Sequence, residues 1–432
     1  MSEQDRDQPD SESNAPDRKD DGQPVGPVID RRTLLKSGLL AGGALAGGGA
    51  ALADLISKPE HTPGARQAAI RSKAARHGAS GVHGREKPES KQPGAQGRYK
   101  APNILVIMVD QLRTPQWFSA TPSAMAAMPN LARLRRGGVL FQSHYTASND
   151  CTPSRAAMLT GLHTHQTGCM ITGGSTLDPG FPTWGTMLRE QGYRTYWYGK
   201  WHLTHGDNLW DSYENAGALE PWGFAGGTYP SPDGAPGQGW RVDPHIVAQF
   251  EDWFARAPQH EPWCTTVSLV NPHDIAWWYH WSERFAAEAQ PPSMVGALPP
   301  NFETPEEMIA RGKPQLQRSL QDTAQASFGK VPYEGPELEA IWLPFMDLYL
   351  KLLGEVDNHI GAVLNTLASR PEVAGNTVIV FTSDHGEYGA SHGMRGKGGG
   401  AYEEAIRVPL IVRDLRDQIT TVPAQPRTGL TS

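Results

Sequence analysis

The chain has 432 residues, of which 38% are hydrophobic and 20% are charged, and its formal net charge is −7. A mildly acidic chain of this length fits one large or two small soluble domains, and it lacks the basic surface typical of nucleic-acid binding. Its three cysteines, Cys151, Cys169 and Cys264, are too few for a disulfide framework. We therefore expect no nucleic-acid partner.

Two segments near the start of the chain carry no folding pattern. Residues 1–30 are rich in Asp, Glu, Ser, Pro and Gln, and a segment of this composition buries too little apolar surface to offset the entropy of ordering. Residues 54–100 are rich in Lys, Arg, Gly, Ser and Pro and show no apolar periodicity. We expect a disordered N-terminus over 1–30 and a flexible linker over 54–100, ahead of a folded domain over 101–432.

Between these segments, Arg31 and Arg32 lie in the stretch Asp-Arg-Arg-Thr-Leu-Leu-Lys. A Gly/Ala/Leu run over 37–50 and a small-x-small pattern ending at Ala53 follow it. The stretch 31–53 resembles a twin-arginine export signal. The apolar run is too short and too glycine-rich for the ~20 apolar residues of a bilayer span. The resemblance implies export by the twin-arginine translocase, a periplasmic or secreted location, and no membrane span in the mature chain.

The folded domain begins with a continuous β-branched and apolar run over 103–109, Asn-Ile-Leu-Val-Ile-Met-Val. Such a run is typical of a strand covered on both faces, as in a parallel sheet with helices on either side. Asp110 and Gln111 follow it directly. Ligands of open α/β sheets bind beyond the carboxyl ends of the strands, so this pair is a candidate ligand set. The alternative for an aspartate here is a turn or a helix N-cap.

The run Cys-Thr-Pro-Ser-Arg-Ala-Ala-Met-Leu-Thr-Gly over 151–161 predicts a turn followed by a short helix. A lone cysteine before a proline is by default a small buried hydrophobe. Arg155 stands at i+4 from Cys151, one helical turn away, and can reach back toward it. These residues alone leave a structural and a chemical role open.

Two further predicted strands end beside basic side chains. The aromatic stretch 193–198 leads into Gly-Lys-Trp-His, which contains Lys200 and His202. The apolar stretch 263–270 leads into Asn-Pro-His-Asp, which contains His273. A histidine in a loop next to a proline is by itself more often structural than catalytic, so these residues gain meaning only from their common position after strands.

The last third of the chain predicts a helix and one more strand. Apolar residues recur at three- and four-residue spacing over 349–367, which indicates an amphipathic helix. A second buried strand over 376–382 ends at Ser-Asp-His-Gly, which contains Asp384 and His385. Lys397 follows in Gly-Lys-Gly. Two predicted strands therefore each present an aspartate at their carboxyl end.

The motif Cys-x-Pro-Ser-Arg, followed at fixed distance by Leu-Thr-Gly, resembles without a gap the signature of type I sulfatases of the alkaline phosphatase superfamily. Gly-Lys-x-His at 199–202, Pro-His-Asp at 272–274 and Lys397 resemble further family elements in the same order. The resemblance implies an α/β fold with a mixed, mostly parallel sheet between helices. It also implies that a separate formylglycine-generating enzyme converts Cys151 to formylglycine.

The same resemblance implies one divalent cation beside the converted residue at Cys151, held by Asp110, Gln111, Asp384 and His385. In many sulfatases this set consists of oxygen ligands, which suit Ca²⁺. Here Gln111 and His385 depart from that set, and an imidazole ligand shifts the preference toward ions such as Mn²⁺. The Asp-Gln and Asp-His pairs resemble the metal motifs of choline sulfatases and phosphonate monoester hydrolases. Both Ca²⁺ and Mn²⁺ therefore remain candidates for the bound ion.

A hydrated aldehyde carries two hydroxyls on one carbon, so one can attack a sulfate ester and the other can later expel the sulfate. The resemblance implies that Lys200, Lys397 and Arg155 stabilise the developing negative charge. His273, alone or with Lys397, is expected to give a proton to the leaving alkoxide, and His202 to assist the collapse back to aldehyde. The residues alone allow the two histidine roles to be exchanged.

Val-Pro-Leu-Ile-Val at 408–412 resembles the strand that precedes the small C-terminal subdomain of the family, for which no match follows before Ser432. We expect a truncated catalytic domain, or a minimal one whose sheet edge a partner covers. The expected function is hydrolysis of a small-molecule or sugar sulfate ester. The alternatives are a phosphonate or phosphodiester hydrolase with the same site, and an inactive anion-binding protein with an unmodified Cys151.

Overall fold

The computed structural model describes residues 101–114, 124–204, 218–228, 231–258, 260–278, 293–416 and 427–431. The predicted disordered segment, export signal and linker, which together occupy residues 1–100, lie outside these ranges. No helix within the described ranges combines the length and the apolar character of a membrane span.

The described part of the chain forms one mixed sheet. Its strands are β1 (Asn103–Val109), β2 (Val139–His144), β3 (Arg194–Gly199), β4 (Ala225–Gly226), β5 (Trp263–Leu269), β6 (Thr377–Ser383), β7 (Leu410–Asp414) and β8 (Arg427–Thr431). They lie in the order β4-β3-β5-β1-β6-β7-β2-β8. The strands from β4 to β6 are all parallel, and β7 is antiparallel to both of its neighbours. The predicted α/β fold with a mixed, mostly parallel sheet is confirmed.

Helices cover the sheet on both sides. The α-helices of the described ranges are α1 (Ala124–Ala127), α2 (Pro129–Arg136), α3 (Cys151–Thr160), α4 (Thr164–Thr167), α5 (Trp184–Glu190), α6 (Gln238–Ala255), α7 (Pro305–Ala310), α8 (Gln315–Phe328), α9 (Leu338–Ala368), α10 (Pro371–Ala374) and α11 (Glu403–Ile406). Short 3-10 turns cover Glu220–Trp222, His273–Trp277 and Ser391–Gly393. The long helix α9 packs against α6 and α2 on one side of the sheet.

The central strand β1 explains why its sequence is continuously apolar. Leu105, Ile107 and Val109 join the larger core, which also contains the buried faces of α6 and α9. Met108 points to the other side and joins a smaller core with Trp197 and residues of α3. Because successive side chains of a strand face opposite ways, a strand with a core on both sides has no polar face.

Four parallel strands end at one edge of the sheet. Val109 of β1 is in register with Leu269 of β5 and with Ser383 of β6, and Gly199 of β3 is in register with Ser268. The segments that follow these strands therefore leave the sheet side by side. This shared edge brings together groups that are distant along the chain.

The predicted helix over 349–367 is longer than its apolar pattern indicated. It is part of Leu338–Ala368, and Pro344 lies inside it. A proline within a helix removes one backbone hydrogen bond and disfavours the preceding turn. Trp342 and Phe345 are nevertheless buried in the larger core on either side of Pro344, and this packing keeps the segment helical.

The other predicted strands agree with the structure to within two residues. The stretch 408–412 corresponds to β7, which runs antiparallel to β6. The segment between His273 and Pro344 contains α7 and α8, for which the sequence analysis gave no prediction. A capping box begins α7, because Thr304 Oγ1 accepts from Glu307 N at 3.1 Å and Glu307 Oε2 accepts from Thr304 N at 2.9 Å. This signal was present in the sequence.

Candidate active site

Cys151 is the first residue of α3 and is completely buried. The side chain of Asp150 accepts a hydrogen bond from Cys151 N at 3.0 Å and so caps the helix. At the other end, Gly161 adopts the left-handed conformation and donates its N–H to Ala157 O. The thiol is therefore fixed at the positive end of a short helix, a position that favours an anionic side chain.

Arg155 joins the two aspartates that follow β1 and β6. Its Nε donates to Asp384 Oδ2 at 2.8 Å, and its Nη2 donates to Asp110 Oδ2 at 3.1 Å. The remaining nitrogen, Nη1, donates to Lys200 O at 2.7 Å and Ser268 Oγ at 3.1 Å. The guanidinium is fully buried and is directed at the carboxylates. The structure thus favours charge neutralisation and positioning by Arg155 over direct contact with a substrate.

Four side chains can hold a metal ion. Asp110, Cys151, Asp384 and His385 offer ligand atoms that all lie within 4.8 Å of one another, and all four are buried. His385 Nδ1 lies 3.0 Å from Gly386 O and acts there as the donor, which leaves the lone pair of Nε2 for the cluster. Carboxylate oxygens, an imidazole and a sulfur or oxygen atom at position 151 form a donor set that fits one divalent cation.

Gln111, the fifth predicted ligand, lies beside this cluster. Its backbone N donates to Asp384 Oδ1 at 3.2 Å. Its side-chain Oε1 accepts from Lys397 Nζ at 2.8 Å, and its Nε2 donates to Glu387. Gln111 therefore stays a predicted ligand, held in place by contacts to three neighbouring side chains.

Two lysines and a histidine surround the Cys151 sulfur. Lys397 Nζ lies 3.0 Å from Sγ, His385 Nε2 3.1 Å and Lys200 Nζ 3.8 Å. Burial and the nearby Asp110 carboxylate raise the pKa of the Cys151 thiol, but the two lysines and His385 outweigh them and hold it well below its usual value. The position is built for a negatively charged group.

His273 contacts both a cation and an anion through one nitrogen. Its Nδ1 lies 3.0 Å from Asp110 Oδ1 and 2.9 Å from Lys397 Nζ. Its Nε2 lies 3.1 Å from the carbonyl oxygen of Gly234. A proton can therefore be shared between His273 and Lys397, as the sequence analysis expects for a proton donor.

His202, like His385, contacts the thiol of Cys151. Burial and the charge of Lys200 lower the pKa of His202, and its hydrogen bond with Cys151 raises it in part. His202 has φ 57°, in the left-handed region that residues other than glycine rarely adopt. This strained backbone, at the end of the segment after β3, directs the imidazole toward position 151.

Sequence reasoning missed several residues that shape the site. Gly234 has φ 93°, and a Cβ there would lie 2.4 Å from His273 Nε2 and 2.8 Å from Lys200 Nζ. Asp243 accepts from Val270 N at 2.7 Å and from Asn271 N at 2.9 Å, which fixes the turn before His273. The turn signal Pro-Asp-Gly at 232–234 was visible, but its position beside His273 depends on the tertiary fold.

The aromatic residues after His273 divide between core and site. Trp278 is buried in the larger core and packs on Phe345 with ring centroids 5.0 Å apart. Trp277 Nε1 donates to Gly234 O at 2.7 Å, the same carbonyl that His273 contacts. Tyr279 and Trp281 lie outside the described residues.

Curated relatives of the chain are sulfatases. The chain is 29% identical over 348 residues to the uncharacterized sulfatase YidJ of Escherichia coli, covering 73% of this chain and 63% of that protein. It is 26% identical over 366 residues to an N-acetylglucosamine-6-O-sulfatase of Bacteroides thetaiotaomicron (73% and 63%) and 26% identical over 352 residues to a choline-sulfatase of Rhizobium meliloti (72% and 62%). The chain thus spans a little over three-fifths of the length of these relatives.

Solved structures show the same fold. The phosphonate monoester hydrolase of Agrobacterium radiobacter matches with a TM-score of 0.54 at 22% identity, covering 73% of this chain and 68% of that one. The corresponding enzyme of Silicibacter pomeroyi matches with a TM-score of 0.53 at 22% identity (76% and 70%). A family model described as Sulfatase matches residues 102–425. The resemblance seen in the motifs is thereby confirmed, and the chain belongs to the sulfatase family of the alkaline phosphatase superfamily.

Proposed function

We propose that this protein hydrolyses sulfate monoesters through a formylglycine made from Cys151, with the help of one divalent cation. The observation that carries the proposal is the surroundings of the Cys151 sulfur. Two lysines and His385 lie within 3.8 Å of it, and two buried carboxylates of the candidate metal cluster adjoin it. A buried thiol with only a packing role needs none of these charges.

The modified residue supplies a hydroxyl nucleophile that can later release sulfate, and the cation supplies positive charge beside it. Arg155 keeps Asp110 and Asp384 apart and oriented, because it donates to one oxygen of each. Lys200 and Lys397 both contact the Cys151 sulfur. From there their ammonium groups can stabilise the negative charge that develops on a sulfate group bound at position 151. The burial of both lysines strengthens this electrostatic stabilisation, since water is excluded.

Proton transfer is assigned to His273, Lys397 and His202. Burial lowers the pKa of Lys397, but Cys151 and Asp110 outweigh it, so that this pKa is raised and the ammonium is retained. Lys397 lies 2.9 Å from His273 Nδ1, and this pair holds the proton for the leaving alkoxide. His202, which hydrogen-bonds the group at position 151, takes the proton released when sulfate is expelled.

The test is turnover of 4-nitrophenyl sulfate by protein made together with a formylglycine-generating enzyme. The wild-type chain should release nitrophenol, while Cys151→Ala and Cys151→Ser should lose nearly all activity. A Cys169→Ala variant is the matched control, because Cys169 is a buried cysteine of the smaller core. Equal turnover by wild type and Cys151→Ala would contradict the proposal.

A second candidate function is hydrolysis of phosphonate monoesters or phosphodiesters by the same site. Gln111 and His385 favour it, since both depart from the all-oxygen ligand set expected of many sulfatases. The same departure bears on the ion, which we propose to be Ca²⁺ by family or Mn²⁺ given the imidazole ligand. Turnover of bis(4-nitrophenyl) phosphate and phenyl phosphonates relative to 4-nitrophenyl sulfate, measured with each ion, separates the two functions.

We further propose that the substrate is a sugar or small-molecule sulfate ester met outside the cytoplasm. Two of the relatives are named N-acetylglucosamine-6-O-sulfatase and choline-sulfatase. The segment 31–53 supports export by the twin-arginine translocase, which carries folded proteins. A panel of aryl, sugar and choline sulfates tests the substrate, and fractionation of cells expressing wild type or an Arg31→Lys/Arg32→Lys variant tests the location.

A further inference from the structure

Glu387 is a fully buried carboxylate that none of the roles above uses. It lies three residues after Asp384, in the segment that leaves β6. Its hydrogen bonds come from one side-chain amide and two backbone N–H groups. Lys397 and Arg113 also interact with it electrostatically, so this buried carboxylate belongs to the charged network of the site and not to the apolar core.

One oxygen of Glu387 determines which way the amide of Gln111 points. Gln111 Nε2 donates to Glu387 Oε2, and Gln111 Oε1 accepts from Lys397 Nζ at 2.8 Å. The flipped amide would place its NH₂ against the ammonium and its oxygen against the carboxylate, which is unfavourable on both sides. The amide oxygen is therefore held toward Lys397, whose Nζ also lies 3.0 Å from Cys151 Sγ.

The other oxygen of Glu387 holds the backbone in front of Lys397. Glu387 Oε1 accepts from Gly396 N at 2.7 Å and from Gly389 N at 3.1 Å. Gly396 directly precedes Lys397, whose Nζ lies 3.0 Å from Cys151 Sγ. A single carboxylate thus connects the segment after β1 to the segment that carries Lys397.

The backbone of Gln111 shows that this position is under constraint. Gln111 has φ 69°, in the left-handed region. Strain of this kind persists only where the surroundings fix it. Its backbone groups are engaged by Asp384 Oδ1 and by the hydroxyl of Tyr349, which donates to Gln111 O at 2.8 Å. Glu387 completes this set by fixing the side chain.

We propose that Glu387 is a positioning residue that presents the amide oxygen of Gln111 to the metal cluster and anchors Lys397 beside position 151. The inference rests on the proposed function only in taking Asp110, Asp384 and His385 as a cation site. It does not depend on which ester is cleaved. It can therefore be tested by cation binding, without turnover.

The test begins with Glu387→Gln. The new amide can still accept from Gly396 N, but its NH₂ then faces the NH₂ of Gln111, so that one of the two amides must turn. We expect the affinity for Mn²⁺ and for Ca²⁺, each measured by isothermal titration calorimetry, to fall about 10- to 100-fold. Unchanged affinity in a folded Glu387→Gln protein would overturn the proposal.

The sharper test exchanges the two groups. In the double variant Gln111→Glu/Glu387→Gln, the carboxylate at 111 accepts from the amide at 387 and from Lys397, and an oxygen still faces the cluster. Gln111→Glu alone opposes two carboxylates. If the two substitutions acted independently, the fold-losses in Mn²⁺ affinity of the single variants would multiply. We expect the double variant to bind Mn²⁺ at least about tenfold more tightly than that product predicts. Additive effects would overturn the proposal, because a general structural role of Glu387 gives no reason for rescue from position 111.

A matched control distinguishes loss of the fold from loss of positioning. Asp357 is also a buried carboxylate, and it accepts from the backbone N–H groups of Asn130 and Leu131 at 2.8 Å. Asp357→Asn should lower the thermal midpoint of the cation-free protein and leave Mn²⁺ affinity within about twofold of wild type. If Asp357→Asn weakens Mn²⁺ binding as much as Glu387→Gln does, the effect is general and the proposal fails.

Discussion

Protein in which Cys151 has not been converted to formylglycine (the unconverted chain) offers the most direct test of the cluster geometry. Its thiolate changes which metal ion the site prefers. The separations within the cluster are 3.1 Å from Cys151 Sγ to His385 Nε2, 3.8 Å from Sγ to Asp110 Oδ1, 3.5 Å from His385 Nε2 to Asp110 Oδ1 and 3.7 Å from His385 Nε2 to Asp384 Oδ1. Tetrahedral Zn²⁺ with bonds of about 2.0–2.3 Å needs ligand separations of roughly 3.3–3.7 Å. For these four pairs, the ligand atoms need to move by only a few tenths of an ångström, and all pairs of the cluster lie within 4.8 Å.

The expected magnitude follows from the ligand types. Thiolate and imidazole sites bind Zn²⁺ with about 10–16 kcal/mol, and the adjacent Lys200 and Lys397 repel a cation, so the low end applies. That corresponds to a Kd of about 10⁻⁷ M. A site with few oxygen ligands binds Ca²⁺ with a Kd of roughly 10⁻⁴–10⁻³ M. The unconverted chain should therefore prefer Zn²⁺ over Ca²⁺ by about 1,000-fold.

The assay uses protein made without the formylglycine-generating enzyme, with Cys151→Ser as the control. Calorimetric titration gives the affinities for Zn²⁺ and Ca²⁺, and Co²⁺ reports sulfur ligation through a near-ultraviolet charge-transfer band. Cys151→Ser should lose that band and most of the Zn²⁺ preference, since a hydroxyl is a poor ligand for zinc. Equal Zn²⁺ affinities of the two proteins, or no thiolate band in the unconverted chain, would refute the geometry.

Two further predictions concern stability. Arg155→Met should lower the free energy of unfolding in EDTA by about 3–5 kcal/mol, because it leaves Asp110 and Asp384 buried without their shared partner; unchanged urea unfolding would contradict this. Burial raises the pKa of Glu404, but the contacts with His392 and a nearby arginine outweigh it and bring this pKa to about 2. This stabilisation is present above the unfolded pKa of ~4.3 and is lost as pH falls toward 2. Glu404→Gln should therefore flatten the pH dependence of the free energy of unfolding in this range, by at most roughly 3 kcal/mol. A slope equal to that of wild type would count against this prediction.

The sequence was sufficient to locate the strands that carry the chemistry. Uninterrupted apolar runs predicted β1 and β6 because both strands are buried on two faces, and the polar residues after them, Asp110 and Asp384, were therefore expected at one sheet edge. The structure brings their carboxylates to a single guanidinium, that of Arg155. The motif around Cys151 predicted a short helix ending at a glycine, which is a local signal. It placed a turn before that helix, whereas in the structure residues 153–155 lie in the first turns of α3, which begins at Cys151.

The sequence was not sufficient to reveal residues that act through other residues. Glu387 follows the Asp-His-Gly motif and looks like a surface acid until the fold buries it beside Gln111. Gly234 belongs to an ordinary turn motif, and its contact with His273 arises only when the segments after separate strands are packed together. The start of α9 lies upstream of the predicted 349–367, and core packing on either side keeps the chain helical around Pro344. Each of these depends on long-range packing, which a local pattern does not encode.

The central claim is that position 151 carries an aldehyde made from a cysteine in a charged, buried site. Peptide mass spectrometry across residues 151–161 of protein made together with a formylglycine-generating enzyme measures this directly. The account predicts a peptide with the mass of formylglycine at position 151 and a hydrazone adduct after treatment with a hydrazine reagent. An intact thiol at Cys151 in all of this protein would contradict it and would leave an anion-binding protein in place of an enzyme.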